Sequence, residues 1–418
     1  MRPRYRLRLR GPGPGGSSSL ASMTSGSAVL GHVRDRVDRA LQVFLGQQHD
    51  VLLAAGQDLL PGAESISGLL AGGKRLRPAF CYWGWRGAGG PDCPEIINAA
   101  AALELLHAGA LIHDDLMDGS DTRRGQPSLH RQFEARHARS HWHGSPAAFG
   151  MGAAILMGDL LLCWTDEMFH ASGLPGEALR HGRPVLDRMR TEVFAGQYLD
   201  LLGQVTGDDT LESALRVVEF KTTKYTIERP LHLGAALAGR CAGQAPDRGT
   251  AGRHGLPGAG APHGASATPG LAGGDTGLAG GDTGLAAAYT AYGLPLGLAF
   301  QLRDDILGVF GDPAQTGKPA GDDVREGKRT VLLAIARDRA TATQAGVIDR
   351  YLGDPMLDEA GTAEVRDAIT ATGAVAECER MIGRHVSEAV AALAGAPITG
   401  EAREALAELA VAATTRDG

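Results

Sequence analysis

Between about residues 28 and 240, apolar positions recur at spacings of three and four, which is the period of an amphipathic helix. These segments are rich in Ala, Leu and Arg, which favour helices, and few Val and Ile residues alternate as they would in strands. A clear helix is predicted over 94–113. It starts at Pro94, carries Glu95 where the helix dipole favours an acidic residue, and leads into a run of aspartates.

The helical pattern resumes at Ala286 and continues to about Ala412, with breaks at 311–321 and at Asp354. The pattern as a whole predicts an all-α protein. Its length fits one large helical domain rather than two.

Two segments lack the helical pattern. Residues 1–27 are rich in Arg, Gly, Pro and Ser, and residues 242–284 contain 14 glycines, with the unit Gly-Leu-Ala-Gly-Gly-Asp-Thr at 270–276 and again at 277–283. The period of seven does not predict a coiled coil, because each glycine costs a helix about 1 kcal/mol relative to alanine. We expect a disordered tail over 1–27 and a domain over 28–418 that contains a flexible Gly-rich insertion at about 242–284.

The composition, 43% apolar and 21% charged, is that of a soluble globular protein. A net charge of −7 without a basic face predicts that nucleic acid is not a partner. The longest apolar helical stretch, 153–164, is too short to cross a bilayer, so no transmembrane segment is expected. The N-terminus lacks the apolar core of a secretory signal, and the five cysteines are scattered without a CxxC pair, which favours the cytoplasm.

Candidate chemistry begins at the acidic end of the first helix described. Asp114 and Asp118, four residues apart, share one helix face, and Asp115 lies about 100° further round. Three carboxylates this close repel one another without a cation, and Mg²⁺ binds carboxylates while leaving positions for phosphate oxygens. Arg123 and Arg124 follow, and their guanidinium forks suit phosphate.

A second acidic pair, Asp304 and Asp305, ends another apolar helix and is followed by Lys318 and Lys328. A single Asp-Asp pair is more often a helix cap or a solvated face than a metal site. Two such pairs, each on an apolar helix and each followed by cations, instead predict one cavity in which metal ions bridge the protein to a polyphosphate.

Lysine is rare in this chain, which has 36 arginines and five lysines: Lys74, Lys221, Lys224, Lys318 and Lys328. All five lie in short motifs, namely GGKRLRP at 72–78, FKTTKYT at 220–226 and the tract after the second acidic pair. A compact ammonium serves as a point charge for phosphate where a guanidinium fork does not fit.

Together these segments resemble the trans-isoprenyl diphosphate synthases, also called the polyprenyl synthetase family. The likeness covers about residues 28–418 apart from the insertion and rests on five motifs in the family's order. It implies an all-α fold around a central active-site cavity, a homodimer, and three Mg²⁺ ions in each active site. It also implies a prenyltransferase that condenses isopentenyl diphosphate with dimethylallyl, geranyl or farnesyl diphosphate to give a longer all-trans prenyl diphosphate.

The resemblance also implies roles for individual residues. The implied metal ligands are Asp114, Asp115, Asp118, Asp304 and Asp305. The allylic diphosphate would be bound by Arg123, Lys221 and Lys318, and isopentenyl diphosphate by Lys74, Arg77, His107 and Arg124. The reacting centre would be lined by Thr222, Gln197 and Gln301, with Lys328 closing over it. The residues implied in catalysis itself are Asp114, Asp115, Lys221, Thr222, Gln301 and Asp304.

One position departs from the family pattern. Many members have a third aspartate in the second cluster, where this chain has Gly308. The departure leaves Asp304 as the main expected ligand there and leaves the number of direct protein ligands open.

Product length is predicted from the helix that precedes the first cluster. Gly109 and Ala110 lie five and four residues before Asp114, and neither is the aromatic residue that blocks the pocket in farnesyl-forming relatives. We therefore expect an open floor at this depth, with Leu106 or another helix stopping the chain. Geranylgeranyl diphosphate is the predicted product, and a longer polyprenyl diphosphate is the alternative.

Two functions of other kinds fit these motifs less well. A class I terpene cyclase also uses an aspartate-rich helix and Mg²⁺, but it needs no isopentenyl site, so the GGKR segment and His107 speak against it. A non-catalytic partner subunit of a synthase would typically lack the first aspartate cluster, which this chain retains.

Overall fold

Helices dominate the structure, a computed structural model that describes residues 19–239, 283–312 and 321–415. Within these residues, strands are limited to one two-stranded antiparallel hairpin, β1 (Thr122–Arg123) and β2 (Gln126–Pro127). The all-α prediction is therefore confirmed.

The first half of the chain contains helices α1 (Ser19–Ala55), α2 (Leu60–Leu70), α3 (Leu76–Gly87), α4 (Pro94–Met117), α5 (Leu129–Arg139), α6 (Pro146–His170), α7 (Gly176–Thr206), α8 (Leu211–Val217), a π-helical segment (Val218–Glu228) and α9 (Arg229–Leu237). A short 3₁₀ turn, Gln57–Leu59, precedes α2. The second half contains α10 (Thr283–Phe310), α11 (Asp322–Arg325), α12 (Val331–Arg339), α13 (Ala342–Tyr351), α14 (Glu359–Ala371), α15 (Ala374–Ala392) and α16 (Gly400–Thr414).

The helix boundaries differ from the predicted ones at two places. Helix α4 runs to Met117, four residues past the predicted end, so Asp118 forms its C-cap. Helix α1 starts at Ser19, within the segment 1–27 that the sequence predicts as a disordered tail. Residues 1–18 and 240–282, which include nearly all of the predicted insertion, lie outside the described residues.

The core has two parts, and each contains one of the acidic helices. In the larger part, α4 is surrounded by other helices, and residues 99–103, four alanines and a leucine, are fully buried. Small side chains on every face allow neighbouring helices to approach α4 closely. In the smaller part, the C-terminal half of α10 packs against α8 and helices α11–α15. The helix ends that carry the two acidic clusters are therefore supported by different parts of the core.

The π-helical segment lies tightly between α7 and α10. A Cβ built on Gly196 of α7 would lie 2.4 Å from the backbone nitrogen of Lys221, and one on Gly297 of α10 would lie 2.6 Å from the Cα of Thr223. Glycine at both positions lets the three backbones touch. The π-helix is rare and is frequently found at functional sites, and this segment of 11 residues carries the FKTTKYT motif.

Three helices in the described part of the chain, Pro94–Met117, Pro146–His170 and Gly284–Phe310, are long and apolar enough to cross a membrane by length and composition alone. The expectation from sequence considered only the stretch 153–164, which includes Asp159, and so underestimated the apolar length of α6. The apolar windows of α4 and α10 are 72% and 50% buried, but that of α6 is only 28% buried. Helix α6 therefore has an apolar face that the other described residues do not cover.

Candidate active site

A cavity of about 480 Å³ lies where the C-terminal parts of α4 and α10 meet α7 and the π-helical segment. A helix C-terminus carries partial negative charge, so aspartates there are electrostatically unfavourable unless cations compensate them. The cavity is lined by twelve of the sixteen residues predicted from sequence, namely Arg77, His107, Asp114, Arg123, Arg124, Gln197, Lys221, Thr222, Gln301, Asp304, Asp305 and Lys328. The structure thus brings together side chains from distant motifs.

Asp114 is surrounded by cations. Lys221 Nζ lies 3.0 Å from Asp114 Oδ1 and 2.7 Å from Asp200 Oδ2, and Arg123 Nη2 lies 3.5 Å from Asp114 Oδ2. Burial alone would raise the pKa of Asp114, but Lys221, Lys328 and Arg123 hold that pKa well below its usual value. Asp114 is therefore ionised, as a metal ligand must be.

Asp118, one turn further along, has a different environment. Its side chain is 1% exposed, Lys328 Nζ lies 3.3 Å from Oδ2, and neither carboxylate oxygen has a hydrogen-bond partner. Burial, followed by the charge of Asp114, raises the pKa of Asp118 to about 6. Asp118 does not line the cavity, but a buried carboxylate without hydrogen-bond partners, one helical turn from a second carboxylate, fits a divalent cation.

Asp115 does not line this cavity and lies instead on the wall of a neighbouring one. The Nε of Arg123 donates a hydrogen bond of 2.8 Å to Asp115 Oδ1, and the Asp115 side chain is buried. Asp115 therefore holds the Arg123 guanidinium in place beside Asp114.

In the second cluster, the two aspartates have different surroundings. Both line the cavity, but the oxygens of Asp305 accept hydrogen bonds from Gln301 Nε2 at 2.8 Å and from the backbone nitrogen of Val331 at 3.1 Å. Burial, followed by the charges of Asp323 and Asp304, raises the pKa of Asp305 to about 8. Asp305 thus caps α12 and orients Gln301.

Gln301 connects the second cluster to the π-helical segment. Its Oε1 accepts a hydrogen bond of 2.6 Å from Thr222 Oγ1, while its Nε2 donates to Asp305. The chain of hydrogen bonds fixes the amide of Gln301 and the hydroxyl of Thr222 at the cavity wall, next to Lys221.

A second group of polar residues lies on the α3 side of the cavity. The guanidinium of Arg77 lies 4.3 Å from the ring centroid of Tyr225 and donates to Thr226 Oγ1 at 2.9 Å. Burial, followed by the charge of Arg77, lowers the pKa of His107 well below its usual value, so the imidazole is neutral. Neither His107 Nδ1 nor Gln197 Nε2 has a hydrogen-bond partner. This wall therefore carries polar groups that can bind an anionic ligand.

Arg124 and Lys74 approach this wall from two loops. Arg124 has a φ of 54° in the two-residue turn of the hairpin and donates to the carbonyl of Leu69 at 2.9 Å. A Cβ on Gly73 would lie 3.4 Å from Arg124 Nη2, so the loop that contains Gly72 and Gly73, here called the glycine loop, passes beside Arg124. Lys74 is exposed and does not line the cavity, and Lys318 lies outside the described residues.

Of the positions on α4 that were predicted to shape the floor of the cavity, Gly109 and Leu106 do not line it. A Cβ on Gly109 would lie 3.1 Å from the carbonyl oxygen of Gly158 and 3.3 Å from Leu161 Cβ, so Gly109 faces α6. Leu106 is fully buried and does not line the cavity, whereas Ala110 does. Of the three small or apolar positions considered from sequence, Ala110 is the one at the wall.

Three further acidic residues pair with the lysines of the site but were not among the predicted site residues: Asp200 pairs with Lys221, and Asp323 and Glu326 pair with Lys328. Asp200 is three residues after Gln197 and therefore lies on the same helix face, which is a signal that periodicity could have supplied. Asp323 and Glu326 pair with Lys328, and the α11 segment that carries them has no apolar pattern to indicate its orientation.

The donor set suits a hard divalent cation. Aspartate oxygens from α4 and α10 face one space, and oxygen ligands are those that Mg²⁺ prefers. Within the described ranges, no three His, Cys, Asp or Glu side chains already stand together as a metal centre, since Lys221, Lys328 and Arg123 lie between the carboxylates.

Comparison with known proteins agrees with this geometry. A sequence model described as polyprenyl synthetase matches residues 63–253 and 276–370. The geranylfarnesyl diphosphate synthase of Aeropyrum pernix is 30% identical over 354 residues, which are 84% of this chain and 92% of that protein. Component 2 of the heptaprenyl diphosphate synthase of Geobacillus stearothermophilus is 29% identical over 358 residues, 85% of this chain and 90% of that protein.

A solved structure extends the likeness to the fold. The geranylgeranyl pyrophosphate synthase of Corynebacterium glutamicum, in complex with isoprenyl diphosphate and magnesium, is 38% identical with a TM-score of 0.78, covering 93% of this chain and 99% of that one. Because the family match spans more than half of the sequence, this chain, a prenyl-transferring enzyme, belongs to the polyprenyl synthetase family of trans-isoprenyl diphosphate synthases.

Proposed function

We propose that this trans-prenyl diphosphate synthase condenses isopentenyl diphosphate with an allylic diphosphate (dimethylallyl, geranyl or farnesyl) and releases geranylgeranyl diphosphate, with a longer polyprenyl diphosphate as the alternative. The observation that carries the proposal is the single cavity in which two aspartate clusters, on α4 and α10, face cations from four other segments. Such an arrangement suits two diphosphates and the metal ions that neutralise them.

We assign Asp114, Asp118 and Asp304 to hold Mg²⁺ directly. Bound Mg²⁺, three ions by family resemblance, supplies the charge that neutralises a departing diphosphate. Asp115 and Asp305 are also predicted as ligands, but we assign them positioning roles. Asp115 accepts a hydrogen bond from Arg123, and Asp305 accepts hydrogen bonds from Gln301 and from the first residue of α12.

The cations divide into two groups around the cavity. Lys221 and Arg123, beside Asp114, bind the allylic diphosphate, together with Lys318. Arg77, Arg124 and neutral His107 bind the diphosphate of isopentenyl diphosphate, with Lys74 at the rim. Lys328 closes over the metal side of the cavity, where it reaches Asp118.

The reaction follows from this separation of charge. With its diphosphate neutralised, the allylic C–O bond ionises, and the double bond of isopentenyl diphosphate attacks the resulting cation. The dipole of Gln301 and the hydroxyl of Thr222 face this reacting centre. The proton then leaves to the departing diphosphate, since His107 serves as a phosphate ligand.

The proposal includes a homodimer in the cytoplasm. Helix α6 exposes a run of large apolar side chains, Phe149, Met151, Ile155 and Leu156, which suits a second copy of the chain. The alternative partner for this face is a different protein, because the Geobacillus stearothermophilus relative is named as component 2 of a heptaprenyl diphosphate synthase. The four cysteines within the described residues are free thiols, as a reducing compartment favours.

The test of the function is a product assay. Purified protein is incubated with Mg²⁺, radiolabelled isopentenyl diphosphate and each allylic starter, and the products are separated by chromatography. We expect elongation that stops mainly at geranylgeranyl diphosphate. No elongation with any starter would contradict the synthase proposal, and a ladder of longer products would select the alternative.

Product length should depend on Ala110 and not on Gly109. Ala110→Phe places an aromatic ring in the cavity and is expected to shift the main product to farnesyl diphosphate or shorter, because the ring occupies the space of one isoprene unit. In the control Gly109→Ala, the new Cβ meets the α6 backbone at 3.1 Å, so the expected change is lower thermal stability with unchanged product length. Unchanged products from Ala110→Phe would show that the growing chain does not pass this wall.

A further inference from the structure

A carboxylate fills the space that a side chain at residue 308 would occupy. A Cβ built on Gly308 would lie 1.7 Å from Asp323 Oδ2 and 2.4 Å from Asp323 Cγ. Any residue other than glycine at 308 would therefore displace the carboxyl group of Asp323. Position 308 is the third position of the second acidic cluster, where this chain departs from the family pattern. The carboxylate missing from α10 is thus matched by one from another segment.

The backbone holds Asp323 at this place. The Asp323 carbonyl accepts a hydrogen bond of 3.0 Å from the backbone nitrogen of Lys328, and the Val324 carbonyl accepts one of 2.8 Å from Gly353. Val324, next to Asp323, is buried in the smaller core. These contacts fix α11 against the end of α10, so the position of the carboxylate is set by packing.

The charges around Asp323 connect it to the first cluster. Lys328 Nζ lies 3.7 Å from Asp323 Oδ1 and 3.3 Å from Asp118 Oδ2, so one ammonium faces both carboxylates. Asp118 is almost fully buried, and its two oxygens have no hydrogen-bond partner. Gly308, Asp304 and Asp323 all line the same cavity. The cavity is thus lined by carboxylates from both segments, Asp304 and Asp305 from α10 and Asp322 and Asp323 from α11.

We propose that Asp323 replaces the absent aspartate at position 308 and binds, together with Asp304, the divalent cation of the second cluster. The inference rests on the proposed function, because that cation serves the diphosphate. It assigns a metal-binding role to one residue of an adjacent pair that lines the cavity: Asp322 pairs with Arg325, whose Nη1 lies 3.1 Å from Asp322 Oδ1, and is given no such role.

The test moves the carboxylate between the two segments. Binding of Mn²⁺ in the presence of inorganic diphosphate is measured by isothermal titration calorimetry and by electron paramagnetic resonance, which require no turnover. The proteins are the wild type, Asp323→Asn, the double variant Gly308→Asp with Asp323→Gly, and the matched control Asp322→Asn, each checked for folding by thermal unfolding. We expect Asp323→Asn to weaken binding of one Mn²⁺ by about tenfold or more. The double variant should recover most of that loss, and Asp322→Asn should bind like the wild type.

The outcomes separate this inference from the proposed function. Equal Mn²⁺ binding by Asp323→Asn and the wild type would overturn the inference while leaving the synthase proposal in place. If Asp323→Asn weakens Mn²⁺ binding and the double variant does not restore it, the inference is also overturned, because Asp323 then has a structural role. Failure of the proposed function would instead appear as a wild-type protein that elongates no starter.

Discussion

Asp114→Ala is expected to lower kcat/KM for elongation by at least about a thousandfold. The side chain lies between Lys221 and Arg123 at the end of α4, and its pKa, held well below the usual value, keeps it ionised for metal binding. Its removal would leave the ammonium of Lys221 with Asp200 alone and would take away an oxygen ligand on the metal side of the cavity. The measurement is the rate of radiolabel incorporation at saturating Mg²⁺.

The control for this variant is Asp121→Ala. Asp121 is a nearby aspartate, its side chain is 72% exposed, and it pairs with Arg131 at 2.7 Å outside the cavity. We expect near-normal activity from the control, and circular dichroism at the assay temperature should show both variants folded. Activity of Asp114→Ala within tenfold of the wild type would refute the role assigned to Asp114.

Arg75→Ala is expected to lower the free energy of unfolding by about 3–5 kcal/mol, because it breaks a buried ion pair and leaves a carboxylate uncompensated. The guanidinium is 3% exposed, with Nε 2.8 Å from Asp38 and Nη1 2.8 Å from Glu104, and it also donates to the carbonyl of Leu70. Glu104 is itself buried within α4. The measurement is urea unfolding followed by circular dichroism.

An exposed ion pair provides the comparison. Arg216→Ala removes a pair with Glu212 on the surface of α8, where the arginine side chain is 54% exposed, and should cost at most about 1 kcal/mol. If Arg75→Ala and Arg216→Ala unfold at similar urea concentrations, the ion pairs of Arg75 do not anchor the glycine loop to α4.

The helical period was sufficient to predict most elements near the site. The 94–113 pattern corresponds to α4, and Asp354, a predicted break, falls outside the helices. Of the other predicted break, 311–321, residues 313–320 lie outside the described residues. Apolar spacing works here because each of these helices buries a continuous face, whichever neighbour covers it. The start of α1 was missed because residues 19–27 are rich in Ser, Gly and Thr, which are weak helix formers.

Candidate site residues could be found from sequence because their chemistry is unusual for their surroundings. Aspartates at the ends of apolar helices and lysines in an arginine-rich chain both indicated phosphate and metal binding. Their individual orientations could not be found in this way. Asp114 and Asp115 are adjacent, yet the first faces the cavity and the second lies behind Arg123, because the hairpin after α4 folds back onto the helix.

The sequence by itself determined the helical fold, the two acidic clusters and the cations that accompany them, because these depend on residue type and on spacing within single helices. Tertiary structure alone decided which groups meet. Lys221 reaches Asp114 across 107 residues of chain, Gly109 faces α6 and not the cavity, and Asp323 occupies the space beside Gly308. These contacts depend on how closely whole helices pack, and the spacing of residues along one helix carries no information about the backbone that lies against it.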